Sequence, residues 1–159
     1  ELVTETMPDQ CTLVPDGDDQ LTSDHGFDLT QSGQQLRPII DQLHALGIRV
    51  SLFMDPDLAQ IELAKEIGAD RIELYTGPYA AAWGTDQQES LFQQHLAAAE
   101  LSTRLGMGVN AGHDLNLYNL GKFASIPSLL EVSIGHAFTV DSLTLGMAKT
   151  VQSYKALLG

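Results

Sequence analysis

Several features that would assign the chain to a common class are scarce or missing. It has one cysteine, Cys11, in 159 residues, so an internal disulfide is impossible and a reducing, cytoplasmic setting is expected. Lys and Arg number 8 against 21 Asp and Glu, a formal net charge of −13. Nucleic acids and anionic membranes are recognised by basic surfaces, so neither is expected as a partner. No apolar run approaches the roughly 20 residues that a membrane helix needs.

The sequence does contain a regular alternation of short apolar runs with helical apolar spacing. Hydrophobic residues make up 43% of the chain, enough to bury a core, and no linker-like segment divides it. We therefore predict a single domain over residues 1–159. Strands are predicted at 11–15, 49–54, 71–75, 107–110 and 131–134. Helices are predicted at 36–46, from Asp55-Pro56 to 67, at 91–105, at 116–124 and at 140–158. Gly47, Gly68 and Gly106 stand where left-handed helix ends are expected.

Five strand–helix units in succession predict an α/β fold with a parallel sheet, because parallel neighbours need crossover helices. Two architectures fit this pattern, an open doubly wound sheet and part of a (β/α)₈ TIM barrel. The chain has neither the G-x-G-x-x-G motif of dinucleotide sites nor a P-loop. A complete barrel takes about 250 residues. Five units in 159 residues correspond to about five-eighths of one.

Glu73 is a carboxylate inside an apolar strand, between Ile72 and Leu74. Side chains alternate along a strand, so Glu73 lies on the face opposite to its two neighbours. In a barrel that face points inward, near the end where active sites lie. An acid–base role and a salt bridge to a loop Arg or Lys are both open from position alone.

Two Gly-His pairs follow consecutive strands. His113 comes after small residues at a strand end, with Asp114 next to it, and either Asp114 or Asn116 could instead cap the following helix. Gly135 and His136 repeat the arrangement one unit later. Backbone N–H groups at a glycine turn and a helix N-terminus can bind a phosphate without Lys or Arg. His136 could alternatively be a packing residue.

The remaining candidates have weaker support. His44 and His95 lie in predicted helices and are expected to be surface or partly packed residues, and His25 lies in a polar loop. Cys11 is more consistent with a buried strand position than with a nucleophile. The histidines have none of the spacings typical of zinc sites, so no metal is expected.

These residues carry a family resemblance. The blocks NAGHDLN at 110–116 and EVSIGHA at 131–137 resemble the pyridoxine 5′-phosphate synthase family. The segments RIELYTGPYA at 71–80, VSLF at 50–53, TLVP at 12–15 and LTS at 21–23 match that family in the same order. The resemblance extends over nearly the whole chain.

The resemblance implies a TIM barrel without metal or organic cofactor. Such an enzyme condenses 1-deoxy-D-xylulose 5-phosphate with 3-amino-2-oxopropyl phosphate in vitamin B6 biosynthesis. The products are pyridoxine 5′-phosphate, inorganic phosphate and water. His113 would be an acid–base residue acting as proton donor, and Glu73 would stabilise the transition state and shuttle protons. Gly135, His136 and Asp114 would hold a substrate phosphate, and Thr22 would contact deoxyxylulose phosphate from a mobile loop. Partners would be small phosphorylated molecules and further copies of the chain, since the family forms octamers.

The sequence departs from the family in two places. Segment 16–20 is acidic where many members have a Lys-Arg pair, and segment 24–26 replaces a Glu-Gly-Gly type sequence. In addition, the resemblance begins in the middle of the family. Residues 1–6 would be the tail of the third barrel helix, so the chain would cover about strands 4 to 8. The isolated chain is then expected to be inactive, because other acid–base and phosphate-binding residues would lie upstream.

Two alternatives to the synthase remain. Another phosphate-handling barrel, an aldolase or isomerase, would fit the same fold, although an aldolase should carry a Schiff-base lysine at a strand end. A non-catalytic barrel remnant would keep the fold without turnover. All four lysines (Lys65, Lys122, Lys149 and Lys155) are predicted to be helical.

Overall fold

Five strands alternate with helices along the chain. The computed structural model describes residues 2–17 and 20–159, so Glu1 of the predicted helix tail, and Asp18 and Asp19 of the acidic segment, lie outside the described residues. The strands are β1 (Gln10–Leu13), β2 (Arg49–Met54), β3 (Arg71–Tyr75), β4 (Gly108–Gly112) and β5 (Leu129–Ser133). The helices are α1 (Leu2–Thr6), α2 (Leu29–Ala45), α3 (Leu58–Glu66), α4 (Gly77–Ala81), α5 (Gln88–Arg104), α6 (Leu120–Phe123), α7 (His136–Leu145) and α8 (Met147–Leu158).

The strands form one parallel sheet in the order β1-β2-β3-β4-β5, which confirms the predicted α/β class. A doubly wound sheet reverses its strand order at a switch point, and no reversal occurs here. Helices α2, α3 and α5 also pack side by side against the middle strands. The sheet is therefore wound in one direction, and the doubly wound alternative does not describe it.

Side chains of the two edge strands touch each other, which shows how strongly the sheet curls. Gln10 Nε2 on β1 donates to Glu131 Oε2 on β5 at 3.2 Å. In a flat sheet these strands would be about 19 Å apart, four interstrand spacings. The Arg71 guanidinium on β3 also binds the Glu131 carboxylate, and it donates to Asn110 Oδ1 on β4 at 3.1 Å. Polar contacts therefore extend across the concave face from β1 to β5.

The two faces of the sheet differ in chemistry because side chains alternate along each strand. The face toward the helices is apolar and fully buried. It is formed by Val50, Leu52, Met54, Ile72, Leu74, Val109 and Ala111. The concave face carries Thr12, Ser51, Glu73 and Asn110 among its residues. The first face supplies the hydrophobic core, and the second leaves polar groups for a site.

Helix ends follow the predicted device at three positions. Gly47, Gly68 and Gly106 have φ values of 75°, 98° and 75°, the left-handed conformation that favours glycine at a helix C-terminus. Each is followed within a few residues by the start of a strand. The predicted exits from α2, α3 and α5 are therefore confirmed.

The start of α3 differs from the prediction. Asp57, not Asp55, is the N-cap, and its carboxylate accepts from the N–H groups of Ala59 and Gln60 at 2.9 and 3.2 Å. Pro56 does not begin the helix but stands in the bend before it. Asp55 is left at the carboxyl end of β2, where its Oδ2 accepts from the Gly26 N–H at 3.1 Å.

The predictions for the other helices need three corrections. The predicted final helix is two helices, α7 and α8, interrupted at Gly146, whose φ is 82°. The segment 76–85, for which no helix is predicted, contains the short helix α4. The predicted helix at 116–124 is shorter and is limited to α6.

Candidate functional site

The carboxyl ends of the strands surround a cavity of about 470 Å³. Its lining comprises Thr22, Glu73, His113, Asp114, Ser133, Ile134, Gly135 and His136. All six residues singled out from the sequence are in this set, although they come from four separate segments of the chain. Ser133 and Ile134 were not predicted as site residues, and they join the set because they end β5 beside Gly135.

Glu73 faces the cavity from the concave side of β3, as its alternation with Ile72 and Leu74 predicts. It is 8% exposed, and its Oε2 accepts from the Thr12 hydroxyl at 3.1 Å. The ion pairs of the described residues do not include Glu73, because the nearby Arg71 binds Glu131 instead. The alternative of a salt bridge to a loop Arg or Lys is therefore not what the structure contains.

Gly112 on the adjacent strand makes room for that carboxylate. A Cβ atom at this position would lie 2.5 Å from Glu73 Oε1, closer than real Cβ contacts allow. The glycine before His113 thus has a steric reason, the close approach of Glu73 to the β4 backbone.

His113 and Asp114 adopt left-handed backbone conformations, with φ values of 80° and 57°. Such conformations cost about 1–2 kcal/mol for a residue with a side chain, so the surrounding structure must impose them. The Thr76 hydroxyl binds the carbonyl of Gly112 at 2.6 Å and also contacts that of His113. Asn119 Nδ2 donates to the Asp114 carbonyl at 3.2 Å. These contacts hold the strand end in its unusual course.

The capping alternative for this segment is partly correct. The Asn116 side chain accepts from the N–H groups of Tyr118 and Asn119, at 2.9 and 3.3 Å, which stabilises the turn before α6. Asp114 has no such capping bond among the described residues, and it is exposed at the cavity. Asn116 therefore has the structural role, and Asp114 remains a site candidate.

Gly135 and His136 form the start of α7, with Gly135 at the N-cap. Both are exposed, so the packing alternative for His136 does not hold. The first N–H groups of a helix have no intrahelical acceptor and attract anions. A second cavity of about 300 Å³ adjoins the first here and shares Asp114, Gly135 and His136 with it. The α7 N-terminus therefore stands where a phosphate could be bound.

Thr22 reaches the cavity from the long connection between β1 and α2. Within this connection, Ser23 Oγ donates to Asp16 Oδ2 at 2.6 Å and Gln20 Nε2 donates to Asp24 Oδ1 at 2.6 Å. Its far end is joined to β2 because the Phe27 N–H donates to the Phe53 carbonyl at 2.9 Å. The connection thus lies across the carboxyl end of the sheet.

The carboxyl end of the sheet is acidic around Tyr75. The Asp24 carboxylate lies 2.5 Å from His25 Nδ1, and this contact raises the pKa of His25 and lowers the pKa of Asp24. Burial raises the pKa of Tyr75, and the carboxylates of Asp114, Asp24 and Asp55 raise it further. Three carboxylates, those of Asp114, Asp24 and Asp55, are therefore close enough to Tyr75 to affect its pKa.

The residues expected to be less important have varied outcomes. His95 is fully buried, contrary to the prediction, because its ring nitrogens contact the carbonyls of Leu91 at 2.7 Å and Tyr75 at 3.0 Å. It thereby joins α5 to the carboxyl end of β3. His44 is exposed and paired with Asp70. Burial raises the pKa of the Cys11 thiol, which opposes a nucleophilic role.

Neither a metal site nor a membrane-spanning helix is found among the described residues. No group of three or more His, Cys, Asp or Glu side chains in residues 2–17 and 20–159 has an arrangement that could hold a metal ion. Within the same residues, no helix is both long and apolar enough to cross a membrane.

The parallel, sequentially ordered sheet and the polar cavity at its carboxyl end define an α/β protein of the kind that binds ligands at strand ends. The family profile described as "Pyridoxal phosphate biosynthesis protein PdxJ" matches residues 1–159. The chain belongs to this family, as its motifs predicted.

Curated relatives agree with the family. The chain is 52% identical over 155 residues to the pyridoxine 5′-phosphate synthase of Albidiferax ferrireducens, covering 96% of the chain and 62% of the relative. It is 48% identical over 158 residues to the enzyme of that name from Xylella fastidiosa, covering 99% and 61%. For Xanthomonas oryzae pv. oryzae the values are 49% over 159 residues, covering 99% and 62%. The chain therefore spans about three-fifths of the length of these relatives.

A solved structure supports the fold alone. A chain in the crystal structure of the Amycolatopsis orientalis BexX/CysO complex matches with a TM-score of 0.61 at 18% identity. The match covers 99% of this chain and 58% of the other. At this identity the similarity indicates a shared arrangement of strands and helices.

Proposed function

We propose that this chain carries part of the active site of a pyridoxine 5′-phosphate synthase. The reaction condenses 1-deoxy-D-xylulose 5-phosphate with 3-amino-2-oxopropyl phosphate. It yields pyridoxine 5′-phosphate, inorganic phosphate and water, a step of vitamin B6 biosynthesis. The names of the curated relatives and the membership of the family support this proposal.

The observation that carries the proposal is the convergence of six residues on one cavity. Thr22, Glu73, His113, Asp114, Gly135 and His136 come from four separate segments of the chain, and all of them line the same space. Residues conspicuous for unrelated structural reasons would be scattered, as His44 and His95 are.

In this proposal His113 donates a proton to the reacting intermediate, and Glu73 stabilises the transition state and relays protons. Acid–base groups act from within hydrogen-bond reach of the reacting atoms, directly or through one water. Both side chains line the cavity, and the bond from Thr12 fixes the direction of the Glu73 carboxylate. The arrangement needs no metal or organic cofactor to move these protons.

Phosphate would be held by Gly135 and His136 together with Asp114, and Thr22 would contact deoxyxylulose phosphate. The N–H groups at the start of α7 supply hydrogen-bond donors without adding charge. This accounts for the ability of a chain with a net charge of −13 to take an anionic substrate. The Asp114 backbone, and not its carboxylate, would face the phosphate, because two negative groups repel each other.

We further propose that residues 1–159 are a single, partial TIM-barrel domain covering about strands 4 to 8. The sequential strand order and the contact between Gln10 and Glu131 support a barrel-like curl. Self-association, as octamers in this family, is supported by large apolar side chains exposed on α7 and α8, such as Val140, Leu143 and Met147. A cytoplasmic location fits the lone cysteine and the small-molecule substrates.

The aldolase alternative has less support. Lys65 lies in α3, Lys122 in α6, and Lys149 and Lys155 in α8, so none of the four lysines of the chain is at a strand end. A Schiff-base mechanism would need an amine in the cavity. The second alternative, a non-catalytic barrel remnant, is separated from the synthase by activity alone.

The experiment measures the formation of pyridoxine 5′-phosphate and inorganic phosphate from the two substrates. The enzyme in this assay is the full-length gene product. His113→Ala should lower kcat by about 10²–10⁴-fold, the usual contribution of a general acid. His44→Ala is the matched control, since His44 lies at the opposite end of the sheet, and it should retain kcat. A His113→Ala protein with normal kcat would overturn the assigned role, and wild-type protein without turnover would favour the remnant.

A further inference from the structure

The imidazole of His113 is held in a way that is unusual for an acid–base histidine. Among residues 2–17 and 20–159, no group hydrogen-bonds to either of its ring nitrogens. Acid–base histidines are commonly oriented by a hydrogen bond to a third group, often a carboxylate or a backbone carbonyl. Something else must fix the orientation of this ring.

Two aromatic rings contact the imidazole. The Phe53 ring centroid lies 5.1 Å from that of His113, with an interplanar angle of 61°, and the Tyr75 centroid lies 5.6 Å away at 77°. Phe53 and Tyr75 also contact each other at 5.5 Å. The two contacts with His113 are edge-on, the Phe53–Tyr75 pair is tilted, and all three separations lie within the range that aromatic pairs prefer. The three rings form a mutual cluster, which we call the aromatic bracket.

The strand register places the aromatic bracket beside Glu73 at the carboxyl end of the sheet. Phe53 on β2 is paired with Glu73 on β3, and Tyr75 on β3 is paired with Gly112 on β4. Tyr75 shares the concave face with Glu73, because it is two residues further along the strand. Neither Phe53 nor Tyr75 belongs to the described lining of the cavity. The two rings therefore contact His113 from the same concave face that carries Glu73.

Both supporting rings are themselves restrained. Phe53 is 1% exposed, and its carbonyl accepts from the Phe27 N–H. The Tyr75 ring lies over Gly77, where an added Cβ would be 2.3 Å from the phenol oxygen. Glycine at position 77 thus leaves the space that the Tyr75 ring occupies. Rings packed this closely have few alternative rotamers, so they can restrict the rotamers of a third ring.

We propose that Phe53 and Tyr75 are positioning residues that orient the His113 imidazole by ring packing and leave both of its nitrogens available to substrate and solvent. The catalytic part of this inference rests on the role proposed above for His113, whereas the packing part does not. Ring packing restricts rotation without occupying a nitrogen, as a hydrogen-bonded partner would. The Tyr75 hydroxyl is not required, because the contact is made by the ring.

The direct test is the proton NMR spectrum of the His113 ring in the full-length gene product. Nuclear Overhauser contacts from the His113 ring protons to the ring protons of both Phe53 and Tyr75 are expected in the unchanged protein. Their absence, with the ring signals assigned, would overturn the proposal without recourse to any variant. His44 serves as the internal reference, because its ring has no such neighbours among the described residues.

Two variants of Tyr75 then distinguish the effect of its ring from the effect of its hydroxyl group. Tyr75→Phe keeps the ring and should leave the His113 ring shifts in place. Tyr75→Leu removes the ring current and should displace those shifts while the His44 signals stay fixed. Should Tyr75→Leu fail to give a dispersed spectrum, Phe53→Leu tests the other half of the bracket, and the Overhauser contacts of the unchanged protein still decide. Unchanged His113 shifts in both leucine variants would contradict the bracket.

The second test is the enzymatic activity of the Tyr75 variants, measured in the full-length gene product. Tyr75→Phe should keep kcat within about twofold, and Tyr75→Leu should lower kcat by about 10–100-fold with KM nearly unchanged, as expected from a misplaced acid–base group. Equal losses in Tyr75→Phe and Tyr75→Leu would show that the hydroxyl acts, and would overturn the positioning role. If the wild type shows the NMR contacts but no turnover, the proposed function fails and the packing inference stands.

Discussion

The two ends of the curled sheet carry cavities of nearly equal volume that differ in how their polar groups are satisfied. The cavity at the carboxyl end is about 470 Å³ and contains His113, Asp114 and Glu73. The cavity at the amino end is about 460 Å³ and contains His44, Asp70 and Asp9. Size and residue type alone do not distinguish them.

The hydrogen bonds of the polar side chains distinguish the two cavities. At the amino end, His44 Nε2 lies 2.8 Å from Asp70 Oδ2, and the same carboxylate oxygen accepts from the buried Val50 N–H at 2.8 Å. At the carboxyl end, the rings of His113 and His136 have no hydrogen-bond partner in the described part of the chain. Polar groups that are already paired stabilise the fold, whereas unpaired groups around a space are available to a ligand. The comparison supports the proposal that the amino end stabilises the fold and that the carboxyl end is the active site.

The largest contrast should come from the Glu73 carboxylate. Glu73→Gln keeps the shape of the side chain and its contact with Thr12 but removes the charge. We expect kcat for pyridoxine 5′-phosphate formation to fall by about 10²–10⁴-fold. Initial rates and urea unfolding measure the two effects, and the unfolding free energy should change by less than about 1 kcal/mol.

Glu131→Gln is the matched control for that variant. It makes the same chemical change on the concave face, next to Arg71 and away from the described lining of the cavity. It should retain kcat within about threefold. Comparable losses in both variants would show that the charge of the whole face matters, and the distinction between Glu73 and its surroundings would fail.

At the amino end the expected effect is on stability. Asp70→Ala leaves the buried Val50 N–H without its side-chain acceptor and removes the partner of His44. An unsatisfied buried donor costs about 1–3 kcal/mol. Urea unfolding should show this loss while kcat stays within about twofold. If Asp70→Ala kept normal stability but lost turnover, the amino end would take part in catalysis, which would contradict this account.

A smaller effect is expected from the partner of Glu73. Thr12→Val removes the hydroxyl that donates to Glu73 Oε2 at 3.1 Å but keeps the side-chain shape. Loss of a hydrogen bond to a charged group corresponds to about 1.5–3 kcal/mol, so kcat should fall by about 10–150-fold. Thr12→Ser keeps the hydroxyl and should restore most of the rate. Equal rates in the valine variant and the wild type would mean that this bond does not orient the carboxylate.

The smallest expected effect concerns the ion pair between Asp24 and His25. Asp24 raises the pKa of His25, and His25 lowers the pKa of Asp24. The charged pair is therefore present between these two pKa values. It is lost as the pH rises through the raised pKa of His25, and it is lost as the pH falls through the lowered pKa of Asp24. Asp24→Asn should return the His25 pKa toward about 6.5 in an NMR titration. Asp28→Asn, in the same connection, should leave the His25 titration unchanged. A His25 pKa indifferent to Asp24 would remove this contact from the account.

Much of the sheet could be predicted from local patterns. The bounds of β2 and β3 match the predictions because each strand has a dense apolar run with clear breakers at both ends. Glu73 could be found because a charge among alternating apolar residues has to face away from the core. His113 and Gly135-His136 followed from their positions after strands.

What failed depended on contacts between distant segments. The burial of His95 could not be foreseen because its partner, the Tyr75 carbonyl, lies 20 residues away. The break at Gly146 is hidden because apolar spacing continues across it from α7 to α8. Asp57 caps α3 in place of Asp55 because Asp55 binds the Gly26 N–H from another element. The aromatic bracket depends on strand register, which no single segment specifies.

The most direct measurement is an NMR titration of the full-length gene product with 1-deoxy-D-xylulose 5-phosphate, following backbone amides and histidine rings. The account predicts saturable shifts at Thr22, Glu73, His113 and Asp114 and at Gly135-His136. It predicts none at the amino end, at Asp9, His44 and Asp70. Shifts confined to the amino end, or no saturable shifts at the carboxyl end, would contradict the assignment of chemistry to that cavity.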